Sequence, residues 1–395
     1  MIDKKFLPGL NTLRFVAAVL VIVGHARQHL SDLKIVWHPD AQVLRQAGSA
    51  VKFFFVLSGF LLTMIAIREI RKLGKIDLKA FYLRRVLRIF PLYYAVLITY
   101  IIINAGINPL LLHKNTMGQP LIPGFLVNAF MLPNLAKSIW PETVGALGLL
   151  WSIGVEEQFY LFFPHLMNFL QKIKYKLLFL LFVFATLFTF FRLVDANIIV
   201  FNPVMQEFIN TLRFDYMLTG CIFSYMIFGT ENIGKAILSV LNYKVVQLII
   251  YLLAIADIFF KFLPGGTLGA LIEPVFFVII IISVSCTTNS LLNFEIKPFN
   301  YFGAISYGMY LLHPLCAYVL RFAYLKVHPV KHLFKTFPDM YAILLVLLTI
   351  GLAHLSYTFY ESPFLKFKDR INKEYLREIL KSKKPILSQI FSRTK

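Results

Sequence analysis

The chain has 395 residues, of which 58% are hydrophobic and 15% charged, whereas soluble globular chains average about 45–50% apolar and about 25% charged residues; a water-soluble globular protein is excluded. The formal net charge is +20, yet the basic residues sit beside hydrophobic runs, where the bias of Lys and Arg towards one membrane face accounts for them and nucleic-acid binding is not needed. Cys221, Cys286 and Cys316 lie in apolar stretches with no CxxC or Cys/His spacing, which argues against a disulfide framework or a metal site and leaves them as small buried hydrophobes.

A bilayer-spanning helix needs about 20 mostly apolar residues. On that criterion spans are predicted near 10–29, 49–68, 88–105, 148–170, 177–193, 213–229, 244–262, 268–286, 302–321 and 341–360. This is an all-α polytopic membrane protein with about ten transmembrane helices, read as one domain over residues 1–363. The start, MIDKKF, resembles a signal peptide, but no small-residue cleavage site follows and the apolar run contains Arg14 and His25; it reads as an uncleaved first helix. Segment 121–136 is apolar but short, with two prolines and two asparagines, and reads as re-entrant or interfacial. Residues 364–395 mix Leu376, Ile379, Leu380, Leu387 and Ile390 with many lysines, as in a basic amphipathic tail lying on an anionic inner leaflet.

Segment 68–88 carries Arg68, Arg71, Lys72, Lys75, Lys79, Arg84, Arg85 and Arg88, the densest basic loop, and is therefore expected in the cytoplasm. Counting spans from there puts both termini in the cytoplasm and 106–147 outside. Segment 321–335, with Arg321, Lys326, Lys331 and Lys335, dissents, since the count puts it outside.

Ionisable groups inside a span are costly and usually face a protein interior or a water-filled cavity. In the first span His25 follows Arg14 by eleven residues, about three turns, which places both on one face about 16 Å apart; singly, Arg14 is explained as a snorkelling cation and His25 as an interfacial histidine. Gly48 and Gly59 repeat the spacing in the second span, where helix packing is the better account. Arg84, Arg85 and Arg88 open the third span, as topogenic charge or as an anion site suited to phosphate. The strongest signal is LWSIGVEEQFYLFFP: Ser152, Glu156 and Tyr160 form one polar stripe at i, i+4 and i+8, with Glu157 beside it. Ser306, Tyr310 and His313 form a second stripe, equally readable as a hydrogen-bonded packing seam. Glu361 and Pro363 close the last span as a helix stop with an interfacial carboxylate. No Walker loop, GxGxxG, HExxH or GxSxG is present, so nucleotide hydrolysis, dinucleotide redox chemistry and zinc hydrolysis have no support.

Taken together, GLNTLRFVAA with His25, FFFVLSGFLL, FYLRRVLRIFPLYY, LWSIGVEEQFYLFFP, ISYGMYLLHPL and FYESPF, in that order, resemble the acyltransferase family 3 membrane proteins over roughly residues 7–366. The resemblance implies ten helices with cytoplasmic termini, a cytoplasmic acyl-CoA donor (usually acetyl-CoA, with no metal), and a sugar or glycan hydroxyl reached from the extracytoplasmic side, in a bacterial inner membrane. It carries the family's first-helix pair onto Arg14 and His25, its RxxR motif onto Arg85 and Arg88, and its SxExxxY motif onto Glu156 and Tyr160. Two positions depart from the pattern. Asn11 stands where the family often has Asp, and Gly154 where the last motif has Ser, for which Ser152 is a candidate substitute. No hydrolase-like domain is expected after the last helix, so transfer finishes within the membrane domain or relies on a separate partner.

The expected mechanism follows from the resemblance. Arg14, Arg85 and Arg88 hold the CoA phosphates, and the pantetheine arm runs up the first helix towards His25. His25 acts as general base or becomes acylated itself, with Glu156 orienting it and His313 a second candidate base. The competing class is a secondary transporter or exporter of a glycan or anion with Glu and His as a proton relay, against which stands the lack of repeated halves.

Overall fold

The structure is a computed structural model and describes residues 7–103, 120–142, 145–368 and 370–371. Among these residues all regular elements are helices. Each segment expected to span is helical over most of its described residues, that at 302–321 being divided between two helices: α1 Leu10–Asp32, α2 Ala47–Leu73 and α3 Leu78–Ile101 come first. The short α4 Leu121–Ala129, α5 Pro133–Ile139 and α6 Gly145–Leu149 precede α7 Trp151–Leu170. Then follow α8 Lys176–Asp195, α9 Pro203–Thr211, α10 Phe214–Gly229, α11 Glu231–Leu241, α12 Lys244–Phe260 and α13 Gly266–Ser285. The last are α14 Lys297–Ala304, α15 Ser306–Lys326, α16 His328–Thr336 and α17 Pro338–Leu355.

Among the described residues five helical stretches are long and apolar enough to cross a membrane, or up to seven if two bent pairs, α11 with α12 at 78° and α14 with α15 at 70°, each count as one span. The remainder of the predicted ten fall short for visible reasons. Arginines at the start of α3 and glutamates in α7 interrupt their apolar runs, and α10 has only 16 residues.

Cross-element hydrogen bonds sort the helix ends into two sets. In the first, Trp37 Nε1 donates to Asp339 Oδ1 (2.8 Å), Gln46 Nε2 to the Asp257 carbonyl (2.9 Å) and Lys261 Nζ to Ser49 Oγ (2.9 Å). This gathers the α1–α2 connection, the α12–α13 turn and the start of α17. In the second, Asn168 Nδ2 donates to the Ile76 carbonyl (3.0 Å), Arg71 to the Phe228 carbonyl, Thr288 N–H to Asn242 Oδ1 (2.9 Å) and Gly9 N–H to Glu295 Oε1 (2.5 Å). The start of α1, the basic α2–α3 turn and the end of α7 therefore share the opposite set.

The most extensively packed helix pair is α2 with α10. A Cβ on Gly59 would lie 1.9 Å from the Met217 carbonyl oxygen, and one on Gly220 would lie 2.1 Å from that of Val56. Two bare backbones seat against each other, the small-residue packing expected where helices associate in lipid. Gly48 has open space around it, so only one member of the predicted glycine pair packs. A buried carboxylate ties further elements to α2. Glu273 of α13, 4% exposed, accepts from Ser49 (2.8 Å), Lys52 (2.8 Å) and Tyr216 (2.8 Å), with Lys261 at 3.4 Å. A charge at such depth is tolerable only when paired and hydrogen-bonded this fully.

Segment 121–136 folds as the hairpin α4–α5, whose turn is held from α3: Tyr93 and Tyr94 hydroxyls donate to the Asn128 and Ala129 carbonyls, each at 2.7 Å. The dissenting basic segment 321–335 contains α16, in which Phe334 is buried against Tyr341, ring centroids 5.2 Å apart, while Lys331 and Lys335 point outward. Its lysines are carried by a docked amphipathic helix and not by a plain loop. Pro363 does not stop the last helix as expected. A π-turn at Ser356–Glu361 follows α17 and helix continues to Lys368, since the wider turn absorbs the break that proline makes in the hydrogen-bond ladder. The predicted amphipathic tail beyond residue 371 and the terminus before residue 7 lie outside the described residues.

Candidate active site

The site grows from α2, whose stripe Glu69, Ala66, Leu62, Ser58, Phe54 and Val51 lines two adjoining cavities of about 300 and 130 Å³. Eighteen residues at 1.5 Å rise make this a path of about 27 Å. Arg14, Ser58, Arg85, Arg88 and Tyr160 line both cavities and mark their junction. Arg84 is different: its guanidinium pairs with Glu69 at 2.8 Å. Among the described residues Arg14, Arg85 and Arg88 form no such ion pair. Arg14 Nη1 reaches Asn11 Oδ1 at 3.5 Å, a neutral amide and not a carboxylate. Arg85 lies over the Tyr160 ring at 5.1 Å and the Phe81 ring at 5.7 Å, and its buried Nε has no hydrogen-bond partner. Three guanidiniums thus face the junction without an ion pair of their own, with Glu156 in the wall of the smaller cavity and Glu69 in that of the larger, and planar guanidiniums left free in this way suit a multiply charged anion.

The α7 stripe is built as the spacing predicted. Glu156 Oε2 accepts from Tyr160 OH at 3.0 Å, one turn along the same helix. Its other oxygen accepts not from Ser152 but from Ser58 of α2, at 2.9 Å. Ser152 therefore makes no hydrogen bond to Glu156; the hydroxyl that does belongs to Ser58 of a neighbouring helix. The glycine at 154 has its own cause. A Cβ there would come within 2.6 Å of Pro133 Cδ, so α7 can lie against the α4–α5 hairpin only without a side chain at this position. Glu157 lines neither cavity.

Ser152 bonds instead to Tyr310 OH, at 2.7 Å. The Tyr310 hydroxyl proton goes to the Leu149 carbonyl (3.1 Å), so Ser152 is the donor of the pair. This contact fuses the two sequence stripes, with Ser306 also in the lining.

His25 and His313 meet directly. Nδ1 of His25 lies 2.9 Å from Nε2 of His313, and the rings are parallel within 2°. His313 is fully buried, and its Nδ1 lies 2.7 Å from the Tyr310 carbonyl. Glu156, expected to orient His25, spends its oxygens on Ser58 and Tyr160; the side chain hydrogen-bonded to His25 is His313. Neither histidine lines the cavities, but both are near their end. Gly24 of α1 abuts Ala47 of α2, an ideal Cβ falling 2.7 Å from the Ala47 Cβ. Val51 is one turn, about 6 Å, further along α2. Helical side chains lean towards the N-terminus, which for His25 is the direction of the cavity-lining Arg14.

A family model described as an acyltransferase domain matches residues 7–358. The chain belongs to acyltransferase family 3. Among curated members it is 28% identical over 377 residues to the peptidoglycan O-acetyltransferase OatA of Listeria monocytogenes, covering 92% of this chain and 56% of that protein. It is 24% identical over 377 residues to the O-acetyltransferase OatA of Staphylococcus aureus, covering 93% of this chain and 58% of that protein. The chain thus spans somewhat more than half the length of these relatives. No solved structure matches it. Membership in acyltransferase family 3, with several long apolar helices, makes this an integral membrane protein. Of the residues now placed, Ser58 was missed from sequence; its only signal was a lone hydroxyl in the apolar run FFFVLSGFLL.

Proposed function

We propose that the protein is a membrane-bound O-acetyltransferase that takes an acyl group from acetyl-CoA on the cytoplasmic side and places it on a hydroxyl of a sugar or glycan reached from the other side. The observation that carries this reading is the cavity junction faced by Arg14, Arg85 and Arg88 without carboxylate partners. Planar guanidiniums bind phosphate oxygens in bidentate fashion, and a CoA-type donor carries several phosphates at one end and its thioester at the other. The path along α2 has the elongated form such a molecule needs. Its wide end lies near Glu69, Arg84 and Lys368, with the basic α2–α3 turn, and a basic turn favours the cytoplasmic side. The alternation of helix ends into two sets supports ten spans with cytoplasmic termini, and the bacterial sources of the relatives favour a bacterial cytoplasmic membrane. The relatives' names make acetyl the first acyl group to test and peptidoglycan the first acceptor.

In this reading the arginines hold the phosphates and the arm passes Ser58 towards Val51. The thioester carbonyl then rests within reach of His25, which serves the acceptor hydroxyl as base or carries the acyl group itself. Glu156, Ser58 and Tyr160 keep the polar wall of the path in one arrangement.

The test is donor binding to the purified protein in detergent, read as a rise in melting temperature. A ligand that binds only the folded state at about 100 times its Kd adds about 2.7 kcal/mol of stability. Acetyl-CoA is expected to raise the wild-type melting temperature, and Arg85→Ala/Arg88→Ala to lose the rise. No rise in the wild type at saturating acetyl-CoA removes the donor assignment.

A further inference from the structure

Resting on that reading, we infer that His313 is a positioning residue, and that with Pro314 it fixes His25 in the one tautomer that can act as a base. The argument begins with the backbone. In a helix the N–H of residue 314 would donate to the carbonyl of residue 310, but residue 314 is proline and has no N–H. The Tyr310 carbonyl is thereby freed within α15, and His313 Nδ1 lies 2.7 Å from it. A carbonyl oxygen only accepts, so the proton sits on Nδ1 of His313. In a neutral imidazole the other nitrogen is then a bare acceptor. That nitrogen, Nε2, is 2.9 Å from Nδ1 of His25, which must therefore donate. The remaining nitrogen of His25, Nε2, is left with its lone pair and, among the described residues, with no hydrogen-bond partner.

Each step fixes the next, so a proline at one position determines where a lone pair stands on another helix. The carboxylate that performs this task in serine hydrolases is replaced by a neutral imidazole backed by a carbonyl. A fully buried, uncharged partner suits a site inside a membrane, where an anion would be costly. During transfer the acceptor hydroxyl gives its proton to His25 Nε2 while its oxygen attacks the thioester carbon. The new C–O bond forms and the C–S bond breaks. The departing thiolate takes the proton from His25 Nε2, and CoA leaves as the thiol. Through this step the Nδ1 proton of His25 remains shared with His313 Nε2.

The experiment compares His313→Leu, His313→Gln and Pro314→Ala with wild type and His25→Ala, all in detergent. It reads acetyl transfer to a soluble glycan fragment, melting temperature with acetyl-CoA, and the ¹⁵N resonances of His25. His313→Leu is expected to lower kcat about 10²-fold or more, as loss of a tautomer-fixing partner does elsewhere, with donor KM and the acetyl-CoA melting shift unchanged. His313→Gln, whose side-chain oxygen can still accept from Nδ1, is expected to recover at least tenfold of that loss. Pro314→Ala returns a competing backbone donor and is expected to lower kcat without altering any side chain of the pair. The ¹⁵N signature of His25 is expected to be Nδ1–H in wild type and a mixture of tautomers in His313→Leu. His313→Leu at full activity beside an inactive His25→Ala would overturn the positioning role and leave the catalytic role of His25 intact. Equal loss in the Leu and Gln variants with an unchanged His25 signature would also overturn it, marking His313 as packing only. An active His25→Ala would instead overturn the reading on which the inference rests.

Discussion

Single positions at this site are explained by what they touch. Gly154 and Ser58 form a linked case: the α4–α5 hairpin occupies the space a side chain at 154 would need, and Ser58 supplies the hydroxyl on Glu156 from α2. Gly154→Ser is therefore expected not to strengthen the site. Its Cβ must displace Pro133, and overpacking of this kind costs about 1–3 kcal/mol. Ser58→Ala leaves one oxygen of a buried carboxylate without its donor, at about 1–3 kcal/mol. Both variants should melt below wild type in detergent. If Gly154→Ser melts at the wild-type temperature, the close approach of the hairpin is wrong. At this scale the sequence stripes were legible because helical period is regular: Ser152, Glu156 and Tyr160 do share a face, and so do Tyr310 and His313. Their partners were not legible. Which hydroxyl meets Glu156, and which ring meets His25, depends on how α2 and α15 pack, and spacing within one helix carries no information about that.

Helices are defined in this chain by ordinary signals. Asp77 caps α3 by accepting from the Ala80 N–H at 2.8 Å, and Gly74, at φ 83°, ends α2 in the left-handed conformation glycine adopts without penalty. What sequence could not foresee was the bending. The predicted span at 302–321 joins two helices 70° apart, and the segment after α17 passes through a π-turn and beyond Pro363. The pairing of α2 and α10 is the element-scale feature with the largest expected effect. Gly59→Ala or Gly220→Ala would force a methyl group to within about 2 Å of a backbone carbonyl, which neither helix can relieve by a rotamer change. Each substitution is expected to cost more than the about 1–3 kcal/mol of side-chain overpacking and to abolish a monodisperse detergent peak in size-exclusion chromatography. Gly48→Ala, with open space around it, is the control and should behave as wild type. A Gly59→Ala protein that elutes and melts normally would show that the two backbones do not meet.

For the molecule as a whole, the proposed topology makes a prediction that needs no substrate. All three cysteines are buried, so the background for thiol labelling is low. Val36, 79% exposed, stands in the α1–α2 connection, and Lys75 in the basic α2–α3 turn. On the proposed ten-span alternation, Val36→Cys is labelled by a membrane-impermeant maleimide added outside intact cells, and Lys75→Cys only after permeabilisation. Labelling of both from the same side would refute the alternation of helix ends. The whole-molecule class was legible because it follows from composition. The count of spans was less so, since charged and polar residues in α3 and α7 serve the site at the expense of hydropathy, and hydropathy is what a span count reads.

The hydroxyl of Tyr310, fixed between Ser152 and the Leu149 carbonyl, has an electrical consequence. An enzyme that takes its donor from one aqueous compartment and serves an acceptor in the other holds a polar path through most of an insulator. Each elementary charge that crosses a potential of 100 mV dissipates about 2.3 kcal/mol, so a continuous column of water along α2 would discharge the membrane that the protein inhabits. On the proposed function such a column would have to pass Tyr310, which lines the smaller cavity with its hydroxyl and holds His313 with its carbonyl, and a side chain fixed at both ends is suited to close that path to ions.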